Sequence, residues 1–395
     1  MCPHMHFGIA MSVNRAFEDD RFKEILERTA RNHPFLRAVI AHDETDNSYY
    51  YDVTDSSRIE LVIHDDILTD IDASALMQEY ERLTGYDWDI SKEGLLKASV
   101  WRMKEKTAVL LVFHHLLADG RGAMNLAEEI AEAYTKNADR GAAAEKLISS
   151  ADDLPKDSKL PLISRMLVRK ANRDWEKEGN EPLSYQRYHA FADNFVKKDK
   201  VRISVTKTPP EELSKTLKEC REHSVTVNDL LMARMYREDK TGKIIIAKDL
   251  RDSLPFYQKG ALGNYSTAFS VVVKNPDKDL WTLAKAVHEN VQKKISNPKD
   301  LYLVLQCYAE LEPEVLDAAF MAAKGSFQSR SASFIGKAFF GFERPEGYSI
   351  TNLGKIESES VSGAFFIPPA SPAIRKTVGV LTVNGKMTAC AAERM

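Results

Sequence analysis

The sequence predicts a mixed α/β (α+β) fold in two subdomains, on three observations. A chain of 395 residues is long for one ordinary domain and suits about two. Short β-prone runs alternate along it with amphipathic stretches of helical spacing. After Tyr134 the composition changes, and Gly141-Ala142-Ala143-Ala144 with the polar run 149–158 separates two halves. The expected division is an N-terminal subdomain at 1–150, a connecting segment at 151–199 and a C-terminal subdomain at 200–395.

Phe7 to Val13 reads as the first strand. From Asp19 to Asn32, Phe22, Ile25, Leu26 and Thr29 recur at helical spacing between charges. His33-Pro34 stops that helix, because proline disfavours helical geometry in the residue before it. Strands at Val39 to His42 and Ser48 to Val53 flank a polar turn at 43–47, and Tyr49-Tyr50-Tyr51 is read as strand packing. Arg58 to His64 alternates as a strand. Asp72 to Leu83 reads as a helix with acid at its start and Gly85 at its end. Leu95 to Arg102 and Thr107 to Phe113 form a hairpin across Lys104-Glu105-Lys106.

The second arm of that hairpin organises the chain. Its wholly apolar run, Val109 to Phe113, stops at His114 and His115, and Asp119 and Gly120 follow before a helix from Ala123 to Tyr134. Successive side chains on a strand point to opposite faces, so one histidine faces the scaffold and the other is free for function. The competing readings are a hydrogen-bonded core histidine, a metal pair, and Asp119 as a plain turn residue. Metal is disfavoured, since a zinc-type pair shares one helical face at i,i+4 whereas this pair is i,i+1.

In the second half, Leu162 to Glu178 is a charged helix on which Arg165, Arg169 and Arg173, with Lys170, form a basic face. A solvated face is the default there, and a contact for a phosphate-bearing donor is the sharper reading. Val201 to Thr206 is a strand, Pro209-Pro210-Glu211-Glu212 starts a helix, and Thr226 caps the next. Ile244 to Ala247 is a buried strand. Asp300 to Lys324 is helical with a break at Pro313, and Gly325 to Phe342 has no clear pattern. Thr377 to Val383 and Lys386 to Ala391 around Asn384-Gly385 carry a type I′ hairpin signal.

His114-His115-Leu116-Leu117-Ala118-Asp119-Gly120 matches an HHxxxDG motif, and the chain resembles the condensation-domain superfamily of acyl-thioester-dependent acyltransferases. That superfamily includes peptide-synthetase condensation domains, mycobacterial polyketide-associated acyltransferases, alcohol acetyltransferases and chloramphenicol acetyltransferase. Companion segments occur in the superfamily's order. Asn32 to Arg37 resembles its H-P-x-L-R segment. Tyr86-Asp87-Trp88 and Gly94 to Ala98 resemble its F-D-L and P-L-h-R-A segments, with Gly94 departing from proline and Lys97 from arginine. Ser224 to Ala233 resembles S-V-T-V-N-D-h-h-h-A. Asp249-Leu250-Arg251 followed by Leu262-Gly263-Asn264 is similar to a D-L-R…L-G-N signature of the free-standing branches, and Ser349 to Gly354 to a late S/T-N-h-G segment.

The resemblance implies two chloramphenicol-acetyltransferase-like subdomains with mixed sheets and a tunnel between them. It implies His115 as general base, with Asp119 held by Arg251 across the two halves and not itself accepting a proton; a plain surface charge is the alternative for Arg251. His114 points away and orients the loop, while Gly120 allows close backbone approach beside N–H groups that can meet an oxyanion. Ser349, Thr351 and Asn352 could donate to that oxyanion or simply form a turn. No metal and no permanently bound cofactor is expected. The co-substrate is acyl-CoA or a phosphopantetheine thioester. The first reading is transfer from acyl-CoA to a hydroxyl or amine. The alternatives are a carrier-protein-dependent condensation or offloading enzyme, partnered by an acyl or peptidyl carrier, and a catalytically silent binding member.

Composition excludes other classes. A net charge of −3 without an aromatic-basic stripe gives no footprint for nucleic acid. No apolar run approaches a membrane span, and the first residues lack a signal-peptide pattern, so a cytoplasmic protein is expected. Cys2, Cys220, Cys307 and Cys390 are scattered, which suits reduced thiols better than disulfides or zinc. Cys2, His4 and His6 alternate as on one strand face, a weak metal reading at a chain end.

Overall fold

The structure is a computed structural model that describes residues 3–43, 45, 48–179, 183–274 and 278–395. The first half runs β1 (His6–Val13), α1 (Asp19–Asn32), β2 (Ala38–Asp43), β3 (Ser48–Val53), β4 (Glu60–Ile67), α2 (Ser74–Thr84), β5 (Leu96–Arg102), β6 (Thr107–His114) and α3 (Gly120–Lys136). After the connecting segment come α4 (Leu162–Glu178), α5 (Tyr185–Lys198), β7 (Val201–Thr208), α6 (Pro210–Glu222), α7 (Val227–Glu238), β8 (Ile244–Asp249), β9 (Ser266–Val271) and α8 (Leu280–Ile295). The chain closes with α9 (Pro298–Leu301), α10 (Leu303–Glu310), α11 (Pro313–Ala323), α12 (Arg330–Phe334), β10 (Tyr348–Ile356), β11 (Val361–Ile367), β12 (Lys376–Val383) and β13 (Lys386–Arg394).

Two mixed sheets form the frame. The first has the order β11-β1-β6-β5-β4 and the second β7-β13-β12-β10-β8-β9. Every residue of β1 and β6 is buried, which is why β6 reads as an unbroken apolar run and not as an alternating one. The two pair antiparallel, with His6 opposite His114 and Phe7 opposite Phe113. β11 comes from the second half yet pairs with β1 in the first sheet, Gly8 opposite Ile367. That crossover ties the halves into one core, in which Leu353, Ile356 and Phe365 pack with β1 and β6 residues.

Local chemistry sets the element ends. Asp119 caps α3 by accepting from Gly122 N–H, and Asn137 ends it in the left-handed region at φ 56°. Thr226 and Asp229 form a reciprocal capping box on α7. Asn384 and Gly385 sit at φ 49° and 77°, the type I′ geometry expected of that dipeptide.

Other expectations need correction. The helix expected from Asp72 starts at Ser74 without a side-chain cap. Asp72 and Asp70 instead meet Lys207 Nζ at 2.8 and 2.7 Å, so a long-range ion pair draws the acids away from the helix start. Gly85 ends α2 at φ −77°, not in the left-handed region. The unpatterned segment 325–342 contains α12 and a wide turn at Ile335–Phe339. Part of the polar turn expected at 43–47, and Cys2 of the Cys2-His4-His6 alternation, lie outside the described residues.

His33 fastens the end of α1 to α3 and to the loop beyond α3. Its ring is 2% exposed, with Nδ1 2.7 Å from Glu145 and Nε2 3.1 Å from Glu129 on α3. Burial alone would lower its pKa, but the bonds to Glu129 and Glu145 outweigh burial and raise it from 6.5 to about 9. A raised folded-state pKa contributes stability that is complete below 6.5 and is lost as pH climbs through about 9. Denaturant titrations across that window will show stability falling by on the order of 3 kcal/mol. In His33→Asn the fall disappears; a parental slope in that variant would refute the assignment.

Candidate active site

The end of β6 sorts the two histidines by strand alternation. His114, the last strand residue, turns to the side of His6, 5.2 Å between ring centroids, and Trp88, 6.3 Å away. Its Nδ1 lies 3.3 Å from Leu116 N–H, which donates to it. Burial, then the neighbouring His115, pushes its pKa down to about 3, so the ring is a neutral acceptor that shapes the loop.

His115 lies one residue beyond the strand and on the other side. Its N–H donates to Met5 C=O at 3.0 Å, continuing the β1 ladder past the strand's end, and its ring meets Phe7 edge-on at 5.2 Å. The side chain is half-buried. Burial lowers its pKa, and the bond to its own backbone carbonyl and the Asp119 charge oppose that. Asn264, from the second half, places its amide Nδ2 3.3 Å from His115 Nδ1. The bond to its own carbonyl places the ring proton on Nδ1 and leaves the lone pair on Nε2, the nitrogen able to take a proton from a ligand.

Asp119 is buried and committed elsewhere. It receives Arg251 Nη1 at 2.9 Å and Nη2 at 3.0 Å in a bidentate pair, Gly122 N–H at 2.8 Å and Tyr265 N–H at 2.8 Å. These four donors fill the carboxylate's lone-pair positions. Arg251 is itself buried, bonded also to Asp249 at 2.9 Å, with its guanidinium 5.0 Å from the Tyr265 ring and 5.4 Å from that of Tyr257. Arg251 is therefore no surface charge but a bolt between the two halves.

Two glycines make room for this junction. A Cβ on Gly120 would stand 2.8 Å from Leu353 Cδ2 and 3.3 Å from Phe366 Cζ, so a side chain there would push the tip of Leu353 aside. A Cβ on Gly122 would stand 3.0 Å from Arg251 Nη2 and 3.3 Å from Gly263 C=O. Gly120 and Arg121, the first helical residues, keep N–H groups outside the intrahelical ladder at the positive end of the helix.

The late strand is placed differently. β10 meets α3 at Leu353, whereas Ser349 lies four residues, about 13 Å, back along the strand, its hydroxyl 3.3 Å from Thr377 Oγ1. Thr351 is half-buried, and Asn352 is exposed and accepts Gly354 N–H at 2.8 Å, the turn-forming role. The structure thus brings together His115, Asp119, Gly120 and Arg251, and leaves Ser349 apart from them. Asn264, Tyr265 and Gly122 join the cluster; Asn264 stands in the L-G-N segment and Tyr265 beside it, but neither the segment nor any pattern around Gly122 gives their contacts. The basic face of α4 is on a helix that packs on α10 and α12. His4 Nε2 stands 3.0 Å from Asp199, and the His6 ring lies 4.4 Å from that of Trp88. A cavity of about 280 Å³ between the halves is lined by these two histidines and by Val201, Ile203 and Ala392.

Residues 4–236 match the family model of the condensation domain. Surfactin synthase subunit 1 of Bacillus subtilis (strain 168) is 26% identical over 135 residues, which is 34% of this chain and 4% of that protein. The epimerization domain from the third module of tyrocidine synthetase B superposes with a TM-score of 0.60 at 14% identity, covering 99% of this chain and 86% of that one. Polyketide synthase associated protein 5 from Mycobacterium tuberculosis gives a TM-score of 0.57 at 15% identity, covering 99% and 89%. These structural likenesses establish the two-subdomain α/β fold. Among the described residues no helix is long and apolar enough to cross a membrane.

Proposed function

The chain belongs to the condensation-domain family, and on that premise we propose that it transfers an acyl group from a carrier-bound phosphopantetheine thioester to an amine or hydroxyl, with His115 as general base. One observation carries the reading: a half-buried imidazole whose ring N–H bonds its own carbonyl and leaves Nε2 with its lone pair, on the loop that leads into a helix start, while the adjacent carboxylate is locked in an ion pair. Nε2 takes the acceptor's proton as its nitrogen or oxygen attacks the thioester carbonyl. The N–H groups of Gly120 and Arg121 supply donors for the oxyanion that forms. Collapse breaks the C–S bond, and the imidazolium returns the proton to the leaving sulfur. No covalent enzyme intermediate is needed, and the co-substrate brings its own thioester.

The carrier-bound donor displaces acyl-CoA as first choice because the curated relatives are named as synthases and are far longer than this chain, which spans 3 to 11% of their length. Acyl-CoA stays as second reading on the Asp249-Leu250-Arg251 and Leu262-Gly263-Asn264 segments, which resemble the free-standing branches. Transfer assays with an acylated carrier and thermal-shift titrations with acyl-CoAs separate the two. Turnover from the carrier with no melting shift from acyl-CoA is the expected result. A ligand at about a hundred times its Kd stabilises by roughly 2.7 kcal/mol, so a saturable acyl-CoA shift with turnover would reverse the choice of donor. Binding with turnover from neither donor would leave a silent binding role.

A further inference from the structure

The first two turns of α4 carry an apolar surface that the transfer chemistry does not use. Leu162 is 71% exposed, Ile163 74%, Met166 63% and Leu167 38%. Single exposed apolar residues are ordinary, but four on two successive turns form a patch. Phe334 of α12, 44% exposed, extends it, since Leu167 and Phe334 line one groove with Lys170, Lys177 and Arg330. The helix does not need this face for its own anchorage. Val168, Ala171 and Trp175 on the opposite side are buried against α5, α11 and α12.

Charge beside the patch is predominantly basic, with Asp174 and Glu178 the acids of the groove. Residues 158–173 contain five basic side chains, Lys159, Arg165, Arg169, Lys170 and Arg173, and no acid, in a chain whose net charge is −3. Arg165 lies 3.9 Å from Glu310 and Lys170 pairs with Asp174, whereas Arg169 and Arg173 are exposed on the same outward face as Met166. At 100° per residue, Leu162, Ile163, Met166, Arg169, Lys170 and Arg173 fall within one outward arc. Apolar tips lead, and cations stand a turn behind.

We propose that this face of α4 docks on an anionic lipid surface, Leu162, Ile163 and Met166 entering the acyl boundary while Arg169 and Arg173 meet the headgroups. An apolar helix tip exposed by two-thirds or more protrudes. A protruding tip fits a deformable layer without a matching cavity, whereas a protein partner would have to supply one. Apolar insertion flanked by cations is the interfacial-helix pattern, and each basic residue near an anionic surface strengthens it by a separate increment. The inference stands whether the acyl donor is a carrier or CoA.

Flotation of the purified chain with vesicles tests it. The parent floats with phosphatidylcholine vesicles containing phosphatidylglycerol, floats far less with phosphatidylcholine alone, and is released by salt. Arg169→Gln with Arg173→Gln weakens partitioning by about thirty-fold, from about 1 kcal/mol per basic residue. Ile163→Ser with Met166→Ser weakens it on both vesicle types and leaves the melting temperature unchanged, because both side chains are outside the core. No flotation of the parent, or equal flotation of the variants, would overturn the proposal. So would binding of an acidic phosphopantetheinylated carrier, or self-association in sedimentation, that the Ile163→Ser/Met166→Ser variant loses while vesicles are ignored.

Discussion

In His115→Ala, acyl transfer falls by about 10²- to 10⁴-fold, the range a positioned general base contributes, while the fold is retained. The ring is half-buried and contacts Phe7 at one edge, so its loss leaves the Asp119–Arg251 pair and the β1–β6 ladder in place. A stability change under about 1 kcal/mol is expected in urea. The pH profile carries a second signature. Because burial lowers the His115 pKa, the free base persists as pH falls below the ordinary value of 6.5, and the acid limb of kcat/KM in the parent lies below that value. His114, neutral and buried, takes no part in that limb, so His114→Gln weakens activity without moving it. A parental rate in His115→Ala would end the general-base assignment.

How much of this site is legible in the sequence depends on how each part is encoded. The histidine pair can be read because strand alternation is local: once β6 is recognised, one ring must face His6 and the other Phe7. α1 is legible to the residue because its apolar spacing and the adjoining His33-Pro34 lie in one stretch. The partnership of Asp119 with Arg251, 132 residues away, comes through resemblance, and its bidentate form is visible only in three dimensions. Asn264 and Tyr265 stand in or beside a recognisable motif, yet their contacts are not written in it. Tyr265 acts through its backbone N–H, which every residue but proline possesses, so its identity says nothing of the bond to Asp119. Gly122 is silent for a similar reason, since what matters is the absence of a Cβ 3.0 Å from a guanidinium in the other half. The segment Val361 to Ile367 is apolar enough to be a strand, but nothing local says that it joins β1 across the chain. Asp72 shows the reverse, a sound local capping signal overridden by Lys207.

The second large effect lies in the Asp119–Arg251 pair. Arg251→Ala removes two of four donors from a buried carboxylate, and breaking such a pair costs about 3–5 kcal/mol, because the remaining charge stays desolvated. Asp119→Ala strands Arg251 with only Asp249, orphans the Gly122 and Tyr265 N–H groups and uncaps α3, which adds about 1 kcal/mol. The double variant then costs less than the sum of the singles, since neither charge is left behind. Urea titrations of the four proteins measure that coupling; additivity to within about 0.5 kcal/mol would mean that the pair does not hold the halves together. Asp119→Asn separates structure from chemistry. Asparagine still caps α3, so the helix start survives while the ion pair is lost and stability drops. If Asp119 only positions the loop, kcat falls but the acid limb stays with His115. A limb that shifts beyond the small effect of removing one nearby negative charge, or vanishes, would make Asp119 a participant in proton transfer.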